Sequence, residues 1–228
     1  IIRSRAVVVE CRTRLINSVR GMAKIFGERL PTATSHNFAP RARTALSPAL
    51  LAVLEPLIEQ IQNLSDTISG YDRQIAALAR KYSDEVTWLE QVNGVGTLTA
   101  VCYILTLDTS ERFAHSRDVG PFLGLVRARG QSGESDPHLG ITKAGDRYLR
   151  TLLVQCAQYM LTRLGQPSAL RDWGLRHAAG GRAAKKIAVI GVARKLAVLL
   201  HCLWKKRQTY RPYPSSQPQL ECVSSAQL

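Results

Sequence analysis

The chain has 228 residues, 45% of them hydrophobic, and a formal net charge of +14 at neutral pH. Such a chain can form one or two domains with a hydrophobic core. The charge is uneven: residues 1–48 carry nine Lys/Arg against two Asp/Glu, residues 49–119 five against ten, and residues 120–228 seventeen against five. Because basic surfaces attract polyanions through counterion release, this balance favours a nucleic-acid partner over a merely solvated face.

The five cysteines are scattered and form no CxxC pair, which argues against a disulfide framework or a zinc site. No apolar run is long enough to predict a membrane span, and no signal peptide follows Ile1. We therefore expect a cytoplasmic protein, associated with the prokaryotic nucleoid and not with a membrane. Since the first residue is not Met, we also expect the natural start to lie upstream.

The predicted fold is mainly α, with a long coiled-coil helix pair followed by a helical domain. Residues 1–46 are predicted to form a basic linking helix, over 2–26, and a loop over 27–46, because Gly27, Pro31 and Pro40 interrupt the latter. Ser47-Pro48 is typical of a helix start. Residues 47–82 then show an a/d repeat typical of a coiled coil, interrupted by Pro56, in the series Leu54, Leu57, Ile61, Leu64, Ile68, Tyr71, Ile75 and Leu78. We expect homo-oligomerisation through this segment; the alternative is a helix packed within its own domain.

Residues 83–207 are predicted to form the second domain, which begins with a helix-hairpin-helix over 83–108. Gly94 and Gly96 allow a tight turn, and backbone N–H groups at the start of the next helix, near Thr97, can hold a phosphate. The alternative is a simple turn between two helices, since a GxG pattern alone is weak. Further helices are predicted over 146–163, 168–178 and 182–206, and a disordered tail over 208–228.

A Gly-rich loop over 124–142, predicted as a small β-hairpin insert, contains Ser132 beside a glycine. Cations surround it in sequence: Arg127, Arg129, Lys143, Arg147 and Arg150. Phosphoryl transfer requires a positioned nucleophile and cations on the phosphate oxygens, although Ser-Gly alone is more typical of a turn. We add the cations of the last helix to the predicted nucleic-acid surface: Lys185, Lys186, Arg194 and Lys195.

Four blocks occur in an order that resembles a known family: VNGVGTLTAVCYI, DVGPFLGLVRARGQSGES, GITKAGDRYLRTLLVQCA and KKIAVIGVARKLAVLLHCLW. They resemble the C-terminal domain of the IS110/IS116/IS902 insertion-sequence transposases. The upstream segment RTRLINSVRGMAKIFGERLP resembles the stretch after that family's nuclease-like domain, so the resemblance covers about residues 1–207.

The resemblance implies a site-specific DNA recombinase guided by an RNA, with a coiled coil that supports oligomerisation. It implies that Ser132 attacks the phosphodiester, with Ser135 as the backup, and that Lys143 and Arg147 contact phosphate. It also implies an upstream RuvC-like domain whose DEDD acidic set binds Mg²⁺; we expect that domain to be missing here and no metal to bind this chain. The chain alone would then bind nucleic acid without cleaving it. The alternatives are a non-catalytic helix-hairpin-helix DNA-binding module and a decayed transposase remnant.

Overall fold

A computed structural model describes residues 1–130 and 139–213 of the chain. Its contacts divide the chain into two compact units, Ile1–Leu78 and Ala79–Leu228. The described residues are mainly α-helical and contain no strand, which confirms the mainly α part of the predicted fold. A single antiparallel bridge between Arg127 and Ile141 stands where the sequence predicted a β-hairpin.

Unit 1 contains three helices: α1 (Ile2–Ile25), α2 (Phe38–Ala45) and the long α3 (Pro48–Lys81). Helix α3 begins as predicted: Ser47 donates from its N–H to the Glu28 carboxylate at 2.9 Å, and its hydroxyl accepts from Leu50 N–H. The hydrogen bonds that the Glu28 carboxylate accepts from the Ser47 hydroxyl and then from the Ser47 N–H lower the pKa of Glu28.

The segment 27–46 was predicted as a loop. That prediction is wrong for Phe38–Ala45, which form α2. Pro40 is the third residue of α2. The first four N–H groups of a helix have no acceptor within the helix, so the N–H that proline lacks is not missed there. A proline near a helix start is therefore compatible with helix, although it was interpreted as a breaker. Pro56 also lies inside α3, whose residue range continues through it.

Helices α1 and α3 run antiparallel, because Arg5 pairs with Asp72 at 2.6 Å and Arg12 donates to the Ser65 hydroxyl at 3.3 Å. The shared core combines residues of all three helices: Ile16, Val19 and Ala23 of α1, Phe38, Ala39 and Ala42 of α2, and Leu50, Leu54, Ile58 and Ile61 of α3. Unit 1 therefore satisfies much of the apolar face of α3 within one chain.

The buried row of α3 differs from the predicted a/d series. Half of the predicted positions are buried, namely Leu54, Ile61, Ile68 and Ile75, but the positions between them are Ile58 and Ser65. The other four residues of the predicted series are only partly buried: Leu57, Leu64, Tyr71 and Leu78. The intrachain core instead uses Ile58 and the polar Ser65, which α1 covers and Arg12 contacts. The coiled coil itself stays a prediction.

Unit 2 begins with α4 (Ser83–Glu90) and α5 (Thr97–Leu107), followed by two short 3₁₀ turns (Ser110–Arg112 and Ser116–Asp118) and the short α6 (Val119–Phe122). It continues with α7 (Arg147–Met160), α8 (Ala169–Ala178) and α9 (Arg182–Lys206). Helix α9 is central, because it contacts α4, α6, α7, α8 and both 3₁₀ turns. The buried Tyr103 ties α5 to it by donating its hydroxyl to the Ala197 carbonyl at 2.6 Å.

Helix α9 is long and apolar enough, by length and composition alone, to cross a membrane, contrary to the sequence prediction. Two thirds of its most apolar stretch is buried inside unit 2, as in the core helix of a globular domain.

The chain also stays packed beyond the predicted end of the domain at residue 207. Tyr210 N–H donates to Gln91, the Pro212 carbonyl accepts from Ala169 N–H, and the Tyr213 hydroxyl donates to Asp172. The predicted disorder therefore does not apply to residues 208–213, and residues from 214 lie outside the described part.

Candidate nucleic-acid interface

Unit 2 contains an open groove with a volume of about 770 Å³, which we call the basic groove. The first half of α9 forms one side, Trp173 of α8 lies at its base, and the two chain segments joined by the bridge form the other side. The lining residues are Leu125, Arg127, Leu139, Gly140, Ile141, Trp173, Lys186, Ile187, Ile190, Gly191, Arg194 and Lys195.

Backbone hydrogen bonds hold the bridged side of the groove. Ala128 N–H donates to the Gly140 carbonyl at 2.8 Å, and Thr142 N–H donates to the Val126 carbonyl at 2.9 Å. These bonds keep the two segments antiparallel on either side of residues 131–138. The end of that side is fixed by Gly124, where an added Cβ would lie only 2.3 Å from the Ala144 backbone nitrogen.

Gly145 is needed for the same close approach. Its φ is +71°, and a Cβ there would lie 2.0 Å from the Phe122 carbonyl oxygen. Only glycine combines this left-handed backbone with such close packing at low cost. The glycines of the loop thus fasten the bridged segments to α6, and this places the loop's cations beside α9.

Arg150, predicted to contact nucleic acid, instead stabilises this turn from within. Its side chain is 9% exposed and donates to the carbonyl oxygens of Leu123 at 2.9 Å and Ala144 at 2.7 Å. Buried carbonyl oxygens require hydrogen-bond donors, and the two bonds from Arg150 hold its guanidinium in the core. The prediction for Arg150 is therefore wrong, because the tertiary fold uses its donors internally.

The base of the groove depends on a close contact between α8 and α9. A Cβ on Gly191 would lie 2.7 Å from the Trp173 ring, so the absence of a side chain at Gly191 lets the indole lie directly on α9. Lys195 extends over the same ring, with its Nζ 4.7 Å from the centroid, a favourable cation–π distance. Burial, and then the neighbouring Arg194, lower the pKa of Lys195.

The groove is electropositive. Its lining contains four basic residues, Arg127, Lys186, Arg194 and Lys195, and no acidic residue among those described. Arg194 also packs against Gly120 of α6, at 3.2 Å from the position of a Cβ there, which restrains its side chain. Clustered cations beside an apolar wall raise the local concentration of anions, so phosphate is a suitable ligand.

Ser132, and the backup Ser135, lie outside the described residues, in the segment 131–138. The two described residues that flank this segment are in contact, since a Cβ on Gly130 would lie 2.8 Å from Leu139 Cδ1. Because Leu139 lines the basic groove and Gly130 contacts it, the two described flanks of the segment lie at the groove.

The structure separates the remaining predicted cations. Arg127, Lys186, Arg194 and Lys195 meet in the groove, whereas the exposed Arg129, Lys143, Arg147 and Lys185 do not line it. Lys143 has a positive φ of +57° in the turn that precedes α7. The sequence prediction missed Trp173, Ile187 and Gly191 as part of this site; a glycine inside an apolar helix was the available signal for close packing.

The residues predicted to form a helix-hairpin-helix comprise α4, a turn over residues 91–96, and α5. Gly94 has a φ of +91°, and a Cβ there would meet Tyr159 at 3.1 Å and Met160 at 3.3 Å, so this glycine packs against α7. Gly96 and Thr97 are exposed at the start of α5, where the Thr97 hydroxyl donates to the Glu90 carboxylate at 2.5 Å. Phosphate binding at this turn stays a prediction. The Glu90 carboxylate lies beside the turn and would repel a phosphate there.

The described residues contain no group of three or more His, Cys, Asp or Glu side chains able to hold a metal ion. The Mg²⁺ site implied by the resemblance therefore has no matching set of ligands in this part of the chain, and no catalytic step is assigned to it.

Comparison with known proteins agrees with the sequence resemblance. Residues 86–172, from α4 into α8, match the model of the IS116/IS110/IS902 transposase family. The chain is 28% identical over 222 residues to a transposase for insertion sequence element IS1111A from Coxiella burnetii, across 92% of this chain and 59% of the relative. It is 30% identical over 217 residues to a probable family 20 transposase from Pseudomonas aeruginosa, across 92% of this chain and 64% of the relative.

A third relative, a transposase for insertion sequence element IS1328 from Yersinia enterocolitica, is 30% identical over 179 residues, which are 75% of this chain and 52% of the relative. The chain thus spans between about half and two thirds of the length of these relatives. The family match over residues 86–172 and the similarity across both units support the assignment of the chain to the IS116/IS110/IS902 family of transposases.

Proposed function

We propose that the chain is part of an insertion-sequence transposase that binds DNA in the basic groove and uses Ser132 to break and rejoin a strand. The observation that carries the proposal is the position of the groove. Four basic residues line it, and both flanks of the segment containing Ser132 lie at its edge. Cations in that position can hold the phosphates on either side of a reacting phosphodiester.

In the proposed step the Ser132 hydroxyl oxygen forms a bond to phosphorus while one P–O bond to a deoxyribose breaks. The serine proton is given up to a base or to water, and the leaving oxygen takes up a proton. Reversal of the step by the hydroxyl of a new strand end would release the serine and complete strand transfer. The role of Ser132 rests on the family resemblance and not on geometry.

The proposal extends to the partners that the resemblance implies. A guide RNA would contribute to target choice, and Mg²⁺ would be held by acidic residues of an additional domain. The chain by itself is then expected to bind DNA and not to cut it. A Mg²⁺-dependent covalent protein–DNA adduct formed by this chain, and lost in Ser132→Ala, would contradict that expectation.

Binding in the groove can be tested by fluorescence anisotropy with labelled duplex DNA at several salt concentrations. Lys186→Gln removes an exposed groove cation and should lower affinity, and it should reduce the slope of log K against log salt by about 1. Arg163→Gln is the matched control, because Arg163 is an exposed cation of unit 2 that does not line the groove. Equal effects of the two substitutions would refute the groove as the DNA-binding surface.

A further inference from the structure

The wall of the basic groove is unusually apolar for a surface that binds only phosphates. Ile187 is 60% exposed and Leu139 is 43% exposed, and both line the groove beside the cations. Ile187 lies one turn before Gly191, on the open side of α9. The groove therefore presents an apolar wall next to positive charges.

These two features select between paired and unpaired nucleic acid. A duplex presents its phosphates outward and keeps the faces of its bases stacked within, so it satisfies the cations but leaves the apolar wall in contact with water. An unpaired strand presents phosphates and apolar base faces together. Proteins that bind single strands combine a positive groove with apolar or aromatic surfaces for this reason.

We propose that the basic groove holds an unpaired DNA strand, with bases against Ile187 and Leu139 and phosphates toward Lys186 and Arg127. The inference deepens the proposed function and rests on it. The groove volume of about 770 Å³ lies within the range of sites that enclose small organic ligands. It can accommodate a short stretch of strand, which suits DNA that has been opened locally near the position of reaction.

The contacts at the base of the groove indicate which part of the wall is available to bases. The Trp173 ring has Lys195 at 4.7 Å and the His177 ring stacked at 4.0 Å, while its edge rests on Gly191. The indole therefore lines the groove while it packs against Lys195, His177 and Gly191. The exposed aliphatic side chains, above all Ile187, are left to contact a base.

The experiment uses the full chain and four labelled probes of equal length, whose affinities are measured by anisotropy. The probes are a DNA strand, the same strand as a duplex, a strand of abasic deoxyribose phosphates, and an RNA strand of the same sequence. The test variant is Ile187→Gln, whose exposure makes misfolding a small risk. The matched control is Leu164→Gln, since Leu164 is 68% exposed and lies outside the groove.

We expect Ile187→Gln to weaken binding of the DNA strand by about fivefold, the effect of losing part of one buried aliphatic side chain. Binding of the duplex and of the abasic strand should not change, and Leu164→Gln should affect no probe. Thermal unfolding of both variants, followed by circular dichroism, should match the wild type.

Each other outcome overturns the inference in a distinct way. An equal loss for strand and duplex would show that bases do not contact the wall, and a tighter RNA complex would assign the groove to RNA. Stronger binding of every probe by Ile187→Gln would show that residues 131–138 cover the wall, and an altered sedimentation coefficient would show that a second copy does. The proposed function fails separately, if the wild type binds no DNA probe or if Lys186→Gln has no effect.

Discussion

At the scale of single residues, His201 shows how a buried polar side chain can make stability depend on pH. It is fully buried in α9, and its Nε2 lies 2.9 Å from the Ser110 carbonyl while its Nδ1 lies 2.9 Å from the Ser116 hydroxyl. Since a carbonyl can only accept, Nε2 carries the proton and Nδ1 accepts from Ser116. The neutral ring thereby holds both 3₁₀ turns against α9.

Burial, the largest effect, lowers the pKa of His201, and Lys205 lowers it further, whereas the Ser110 carbonyl and the carboxylates of Glu111 and Asp118 raise it. The unfolded chain binds a proton at this histidine near pH 6.5, and the folded chain only at lower pH. The contribution of the neutral ring to stability is therefore complete above about pH 6.5 and decreases as the pH falls from there through the folded-state pKa.

We predict that acidification will destabilise the wild type more than His201→Gln, which can donate to Ser110 but does not titrate. Urea unfolding curves between about pH 5 and pH 8 would measure this. The difference in unfolding free energy between the two proteins should shrink as the pH falls. Curves that remain parallel over this range would show that His201 does not cause the dependence.

At the scale of elements, the turn between α4 and α5 contains two glycines with different roles. Gly94 combines a positive φ with close contacts to α7, whereas Gly96 has a φ of −105° and no atom within 4 Å of an added Cβ. Only the second position can therefore test phosphate binding without disturbing the fold.

We predict that Gly94→Val will destabilise unit 2 by about 2 kcal/mol, because a β-branched residue is strained at positive φ and would crowd Tyr159. Gly96→Val should change stability by less than about 0.5 kcal/mol. If the N–H groups at the start of α5 hold a phosphate, Gly96→Val should weaken duplex binding by about tenfold, roughly the loss of one charge-assisted contact. Unchanged affinity, with unchanged melting temperature, would reject the phosphate role of this turn.

At the scale of the whole molecule, the intrachain packing of unit 1 restricts how the chain could self-associate. The buried row of α3 is occupied by α1 and α2, so a second copy would have to use the partly buried row formed by Leu57, Leu64, Tyr71 and Leu78. Oligomerisation through α3 is thus a proposal about this second row and not about the predicted series as a whole.

We predict that Leu64→Glu will shift the chain toward monomer in sedimentation equilibrium, since a buried carboxylate is costly in an apolar helix contact. Thr67→Glu is the control, because Thr67 is exposed on the same helix and adds the same charge. A monomeric wild type at all concentrations would show that α3 serves only the intrachain core.

The sequence by itself determined the mainly α fold, most helix bounds and the family, because the hydrophobic period, the Ser47-Pro48 start and the ordered motif blocks are local signals. Only the tertiary structure decided which cations reach the candidate site. Arg150 is turned inward by two carbonyls that accept hydrogen bonds from it, and Lys186, Arg194 and Arg127, distant in sequence, meet beside Ile187. The physical reason is that the direction of a long basic side chain depends on the partners that packing brings to it, and these partners come from other helices.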